Sequence, residues 1–490
     1  MNLKHIKIRN IPGMIVLCVM ILGSVSLTGC FKPERYSTEL DAQKVELSYG
    51  DLALGGEVRD RWWEGYGNAE LNEFVETVLR ENPSLQSAYL RLLDSEIVHK
   101  QAEAGYYPNL SFSAGVGYGG TISENSHSDP SYSLGLNLSY EVDLWGKVRA
   151  QRRVSELSMQ SVQDSAEAAA LSLVGNVVNE WFTVLYYRER RELTAQLLEI
   201  SESYNELVQE YYRNGQTNGM DVLEQRQQLE TLRSTLAEID SNIRVSLHSL
   251  SILAGGTVTP SVEGRLPEAI DVGGTVDVSR LIESRPDIRS ARRSAQKADA
   301  QVVIALADRL PSLRLSASLA FRSSSIVDLF KALLWDVGAN FAASIFDGFN
   351  KTAAIDRAKI SYLSERFSYA STVMQAVAEV EEALLKLRIR EQSLKDIQAQ
   401  LERQREILEV SRQYFASGAL DYNRVLSALR SLVSTSQSEL EARRALLTAQ
   451  VALFKSMGGS AWLAKTTEEN SQRARERLEA LDAKEDKQSE

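Results

Sequence analysis

The chain has 490 residues, 43% of them hydrophobic, two cysteines and a formal net charge of -11. That acidic balance argues against nucleic acid as a partner, since phosphate backbones are bound by basic surfaces. With Cys18 and Cys30 as the only thiols, a disulfide framework is excluded and packing alone must hold the fold.

Lys4, Lys7 and Arg9 give a basic start, and an apolar run from Ile11 to Leu27 follows. The run is too short and too one-sided for a permanent span, so residues 1–29 read as a signal peptide. It ends in Leu27-Thr28-Gly29-Cys30, which resembles a bacterial lipobox. Cleavage there would leave Cys30 as the new N-terminus carrying diacylglycerol and an N-palmitoyl chain, the one covalent lipid expected and no other cofactor. Phe31, rather than Asp, follows the cysteine and points to the outer membrane of a Gram-negative cell. Loss of Lys4, Lys7 and Arg9 takes the formal charge from -11 to -14. No later stretch reaches eighteen uninterrupted apolar residues, so no transmembrane helix is expected and a membrane crossing would fall to strands in a closed barrel.

The body of the chain is a tandem repeat at an offset of 203 residues. Asn82-Pro83 corresponds to Arg285-Pro286, Pro108 to Pro311, Gly215 to Gly418, Leu223 to Leu426, and Gly255-Gly256 to Gly458-Gly459. The plan is a lipidated N-terminal segment 30–70 containing Trp62-Trp63, repeat 1 over 71–256, a linker 257–284, repeat 2 over 285–459 and a charged tail 460–490, frayed helix or disorder.

Each repeat carries two strands of alternating character. In repeat 1 they are 109–119, with Leu110, Phe112, Ala114, Val116 and Tyr118 on one face, and 132–144, with Leu134, Leu136, Leu138 and Tyr140. In repeat 2 they are 312–322, with Leu313, Leu315, Leu319 and Phe321, and 336–346, with Val337, Ala339, Phe341 and Ile345. Ten or more residues suit membrane-spanning strands better than ordinary ones. The apolar face would then meet lipid and the Ser/Gly/Asn face would line water. A soluble sandwich with one face on a core gives the same alternation. Four strands are too few to close, so a barrel would pool them between chains, three copies supplying 3 × 4 = 12.

No proline lies between Pro130 and Pro260, or after Pro311, and both tracts are rich in helix formers. A helix over 147–213 has 67 residues, about 100 Å at 1.5 Å each. Gly146 and Gly348 mark strand-to-helix turns, and Gly215 and Gly418 helix-to-helix turns, where a positive φ is useful. The fold class expected is α+β: a trimeric 12-stranded transmembrane β-barrel, four strands per protomer, continuous with a long periplasmic α-helical barrel.

Several motifs carry a family resemblance. They are the lipobox, Tyr106-Tyr107-Pro108-Asn109-Leu110, Glu141-Val142-Asp143-Leu144-Trp145-Gly146-Lys147, Ser284-Arg285-Pro286-Asp287-Ile288 and Phe346-Asp347-Gly348. With them, residues 27–462 resemble the TolC-like outer-membrane factor family, specifically the OprM/NodT-type lipoproteins of RND efflux pumps. The resemblance implies a homotrimer in contact with outer-membrane lipids, a periplasmic adaptor protein, an inner-membrane RND-type transporter and no catalysis. It also implies a periplasmic aperture at the helix tips, carried over by position to Asp221 and Glu224, with adaptor contact at the Gly215 and Gly418 turns; repeat 2 departs from the family pattern there, with Asn423, Arg424 and Ser427, and Arg424 is assigned to the same aperture. Arg424 could pair with Asp221 of the neighbouring hairpin. A type I protein-secretion conduit is the alternative within the channel class, and a structural coiled-coil lipoprotein a remoter one. An enzyme is disfavoured: His5, His99, His127 and His248 are scattered, and no phosphate loop or nucleophile elbow is present.

Overall fold

The computed structural model describes residues 54–55, 60–120, 128–256, 258–272, 275–276, 278–417, 419–420, 422–459 and 461–489. The leader, Cys30 and Gly418 lie outside them. The chain divides into two compact units.

The first unit comprises Lys100–Ser155 and Gln296–Leu363. Its centre is a four-stranded antiparallel sheet of β2 (Asn109–Gly120), β3 (Ser128–Val142), β5 (Ser312–Ser323) and β6 (Leu333–Ala342), in the order β2-β3-β5-β6. A two-stranded ladder elsewhere pairs β1 (Leu54–Gly55) with β4 (Thr275–Val276). Gly146, at φ 77°, and Gly348, at φ 65°, turn the chain from strand into helix. Below the sheet Ala298, Val302 and Tyr362 form a small apolar cluster.

The second unit is helical. It holds α1 (Ala69–Glu81) and parts of α2 (Pro83–Glu103), α3 (Lys147–Arg213), α6 (Pro286–Asp308) and α7 (Asn350–Ala416). It also holds α4 (Gly219–Leu253), α5 (Val278–Ser284), α8 (Tyr422–Met457) and α9 (Ala461–Ser489). Among the described residues α3 is the one helix long and apolar enough to cross a membrane. Its Ala170, Val174, Val177, Val178, Trp181 and Leu185 follow helical spacing and are buried in the core, so this is an interior stripe. Aromatic pairs close the core around it: Trp62 stacks on Phe454 at 5.3 Å, Trp63 meets Trp462 at 4.8 Å, and Tyr66 meets Phe182 at 5.0 Å. The linker is pinned by Gln450, which is buried and acts like a backbone amide, accepting from Ile270 N at 3.1 Å and donating to Ile270 O at 2.6 Å.

The repeat is visible in one joint made twice. Asn82 Nδ2 donates to Leu253 O at 2.9 Å, and 203 residues later Arg285 Nη1 donates to Ser456 O at 2.9 Å. Beside each bond a left-handed glycine lets two backbones meet. A Cβ on Gly255 would lie 2.8 Å from Glu81 O, and one on Gly458 2.8 Å from Ser284 O. The first joint is neutral. In the second, Arg285 also binds Asp287 (2.6 Å) and Glu379 (2.8 Å). Burial works against the Arg285 charge, but the two carboxylates hold its pKa above the ordinary value. Burial alone would raise the Asp287 carboxyl; the adjoining guanidinium instead brings it below the ordinary carboxylate range.

A second charge cluster joins α3 to α6. Asp164 and Glu167 are buried; Arg289 reaches both, and Arg293 reaches Asp164 and Gln160. Burial raises both carboxyl pKa values, and the arginines only partly offset it.

Three expectations need correction. Strand β6 runs 333–342 rather than 336–346, because Ser312, the first residue of β5, pairs with Ala342 and leaves nothing for residues 343–346 to bond. Strand β3 runs 128–142 rather than 132–144: its ladder ends at Val142↔Leu313, and Asp143 turns to capping the next helix. Residues 461–489 form helix α9, and its first half packs through Leu463, Thr467, Asn470, Ser471 and Ala474 rather than fraying.

Candidate functional site

The ladders keep the faces of the sheet in step across all four strands. Pairings Phe112↔Leu136, Leu136↔Leu319 and Leu319↔Trp335 run across one face, as do Leu110↔Leu138, Leu138↔Ala317 and Ala317↔Val337. The other face carries Ser113↔Gly135, Asn137↔Ser318 and Ser318↔Asp336, with Arg314 paired to Glu141 at 3.4 Å. Because side chains alternate, a slip of one residue would mix the two. Phe112 is 69% exposed, Val116 78% and Val337 70%, which rules against the buried inner face of a sandwich. Among the described residues no second sheet covers this face.

The apolar band has aromatic borders. Tyr118, Tyr132 and Phe321 stand near the hairpin end, and Tyr107, Tyr140, Phe341 and Phe346 near the helix end. From Leu313 to Phe321 the strand advances about 26 Å at ~3.3 Å per residue, which at the ~35–45° tilt of barrel strands covers about 20 Å of the roughly 25 Å apolar band. Among the described residues strands β2 and β6 each pair on one side only.

The strand-to-helix junctions are built from the Asp-Leu-Trp-Gly-Lys run and its counterpart. Asp143 accepts from Val148 N (3.0 Å) and Arg149 N (3.2 Å), filling donors left open at the start of α3. Trp145 Nε1 donates to Pro311 O at 2.6 Å, tying repeat 1 to repeat 2. Lys147 pairs with Asp308 at 2.7 Å. In repeat 2, Asp347 accepts from Lys351 N at 3.0 Å.

At the other end of α3, Gly215 has φ 68°, and Gln216 N donates to Tyr211 O at 2.8 Å, a helix-ending motif that uses a left-handed residue. Asn218 caps α4 through Met220 N and Asp221 N. Asp221 and Glu224 are both exposed and line an open cavity of about 560 Å³ with Tyr204, Phe415, Asn423 and Arg430. Arg424 is not among the lining residues. Within the chain Asp221 accepts from the hydroxyl of Thr217, four residues before it. Among the described residues, bonds between the two hairpins include Tyr204 with Asn423, Gln225 with Arg430 at 2.9 Å and Gln437 with Thr194 at 3.2 Å. Gln225 is buried and also donates to Ser201 O at 2.9 Å. The sequence carried a signal for it: a glutamine in the apolar stripe Val222, Gln225, Leu229, Leu232 must find polar partners inside.

Residues 74–256 and 278–459 match the family model described as outer membrane efflux protein. The chain belongs to the outer membrane efflux protein family. It is 28% identical over 417 residues to the pyoverdine export outer membrane protein OpmQ of Pseudomonas aeruginosa, covering 81% of this chain and 87% of that one. It is 25% identical over 469 residues to the probable outer membrane lipoprotein SilC of Salmonella typhimurium, covering 93% and 98%. Its fold is similar to the crystal structure of the Campylobacter jejuni CmeC outer membrane channel, with a TM-score of 0.78, 22% identity, and coverage of 86% of this chain and 94% of that one. As a member of this family the chain is an outer-membrane efflux channel component reaching into the periplasm. Family membership also explains why a two-faced sheet and paired helical hairpins occur in one chain.

Proposed function

We propose that three copies of the chain form a passive conduit for small molecules. Each would contribute four strands to a twelve-stranded barrel and four long helices to a helical barrel in the periplasm. The observation that carries this reading is the register-matched sheet with an exposed apolar face, a polar face and two unpaired edges. In lipid an open edge costs several kcal/mol per unsatisfied backbone group, so the edges must meet those of other copies. Two copies would give 8 strands, whose interior side chains fill; three give a bore.

In this reading Cys30 carries the diacylglycerol and N-palmitoyl anchor, and the small residues of the polar face line the pore. Asp221 and Glu224 from three copies place carboxylates around a periplasmic mouth, repelling one another and attracting cations. Arg424 stands on the facing hairpin and tunes that charge. The Gly215 and Gly418 turns form the tips that dock a periplasmic adaptor, which couples the channel to an inner-membrane RND-type transporter supplying energy and substrate choice. The chain itself performs no catalysis.

Mass determination and imaging of the detergent-extracted protein test the reading. Three copies in one elongated particle support it, and a compact monomer overturns it. At the mouth, Arg424→Ala is expected to change the closed-state conductance of single channels in planar bilayers; an unchanged leak removes Arg424 from the aperture.

A further inference from the structure

The 3-10 turn Ile326–Lys331 joins β5 to β6 at the hairpin end of the sheet, away from the strand-to-helix junctions. In a six-residue turn it exposes three large apolar side chains: Ile326 at 65%, Val327 at 84% and Phe330 at 68%. Its position is set by two contacts. Leu329 is buried, and the Phe330 ring meets Phe321 edge-on at 5.3 Å. Phe321 belongs to the apolar face, where it pairs with Leu134 on one side and Leu333 on the other. The turn therefore folds back over the apolar face and extends it, rather than bending across the polar one. Its charged residues pair with each other, Lys331 to Asp328 at 2.5 Å.

We propose that Ile326–Lys331 is a membrane-interface anchor, seated at the boundary between headgroups and acyl chains of the outer leaflet. Ile326, Val327 and Phe330 enter the acyl layer, and the Asp328–Lys331 pair stays at headgroup level. Three points commit the occupant to lipid. The exposed side chains continue the band that Tyr118, Tyr132 and Phe321 border, and aromatic and aliphatic residues at such a border are how membrane strands fix their depth. A short element with one apolar side and one charged side suits an interface plane. Contiguous exposed apolar surface of this kind marks a partner surface rather than chance. The anchor would set the height of the β5–β6 hairpin from the side opposite the Cys30 lipid. This inference rests on the reading of the apolar face as lipid-facing.

The test uses single cysteines in the full-length protein, whose unsubstituted form, with Cys30 expected to carry lipid, sets the labelling background. Val327→Cys, Ile326→Cys, Val337→Cys on the apolar face and Ser318→Cys on the polar face are each labelled with an environment-sensitive fluorophore. They are reconstituted in phosphatidylethanolamine–phosphatidylglycerol vesicles, with or without bromine on the acyl chains. Blue-shifted emission and quenching by brominated lipid at Val327 and Ile326, as at Val337, with Ser318 answering only to aqueous iodide, is the result expected. Iodide quenching at Val327 and Ile326 with lipid quenching at Val337 overturns the anchor and leaves the barrel standing. Iodide quenching at Val337 overturns the lipid-facing reading and the anchor with it. Protection of Val327 from both quenchers means protein covers the turn, and also overturns the proposal.

Discussion

Replacing Gly458 by alanine should open the joint between α8 and the start of α6 far more than the same change at Gly256 opens the matching joint of repeat 1. Both glycines are left-handed, with φ 89° and 76°. An L-residue there costs about 1–2 kcal/mol in either place. At Gly256 that is the whole cost, because an added Cβ meets nothing within 4 Å. At Gly458 the new atom would sit 2.8 Å from Ser284 O, 3.0 Å from its carbonyl carbon and 3.1 Å from its Oγ. Two of those atoms are backbone, and Ser284 Oγ is itself bonded to Met457 O at 2.9 Å, so nothing can swing aside cheaply. Overpacking of this kind adds about 1–3 kcal/mol. An excess of about 2 kcal/mol over Gly256→Ala corresponds to a factor of about 30 in the local opening constant. Hydrogen exchange read by mass spectrometry in the detergent-solubilised protein measures it, on peptides spanning residues 280–290 and 450–459 for Gly458→Ala and residues 78–88 and 247–256 for Gly256→Ala. Equal acceleration in the two variants would refute the close-contact account and leave only backbone strain.

On the sheet, Val337→Arg should cost about 2–4 kcal/mol in urea unfolding from lipid vesicles, while Ser318→Arg, on the polar face, should be near neutral. Arg289→Met should destabilise by about 3 kcal/mol at neutral pH by leaving Glu167 buried without its cation. The sign of its pH dependence follows from burial: Asp164 and Glu167 have folded pKa values above their unfolded ones, so stability associated with them is present at low pH and lost as pH rises through the folded values. Losing Arg289 raises the Glu167 value further, so the deficit should shrink on acidification; thermal melts at a series of pH values check it. Gln225→Leu should cost about 1–3 kcal/mol locally by removing the acceptor of Arg430, seen as faster exchange at the hairpin ends.

The sheet was legible because period-2 alternation survives whatever covers it, and the long helices because two proline-free tracts leave few other options. Strand ends were not, since alternation continues through Ile345 although the partner strand has run out at Ser312. The start of β6 was hidden by Leu333-Leu334-Trp335, three apolar residues in a row that break the alternating pattern. Helix α9 escaped because its buried side is made largely of Thr467, Asn470 and Ser471, and a search for apolar stripes passes over small polar residues. At the helix tips the carboxylates were visible, and so was the local spacing that sets Thr217 against Asp221. The contact of Tyr204 with Asn423 was not, because the bundle brings them together and no spacing in the chain encodes a meeting across 219 positions.

The joint made twice gives the two halves different temperaments. The Asn82 seam has no proton to gain, so acid leaves it alone. The Arg285 seam leans on Asp287, whose lowered pKa contributes stability above its unfolded value that is withdrawn as pH falls through the folded one. A chain assembled from one plan thus carries one joint that answers to acid and one that does not: protonation of Asp287 withdraws one partner from Arg285, whose bond to Ser456 O remains.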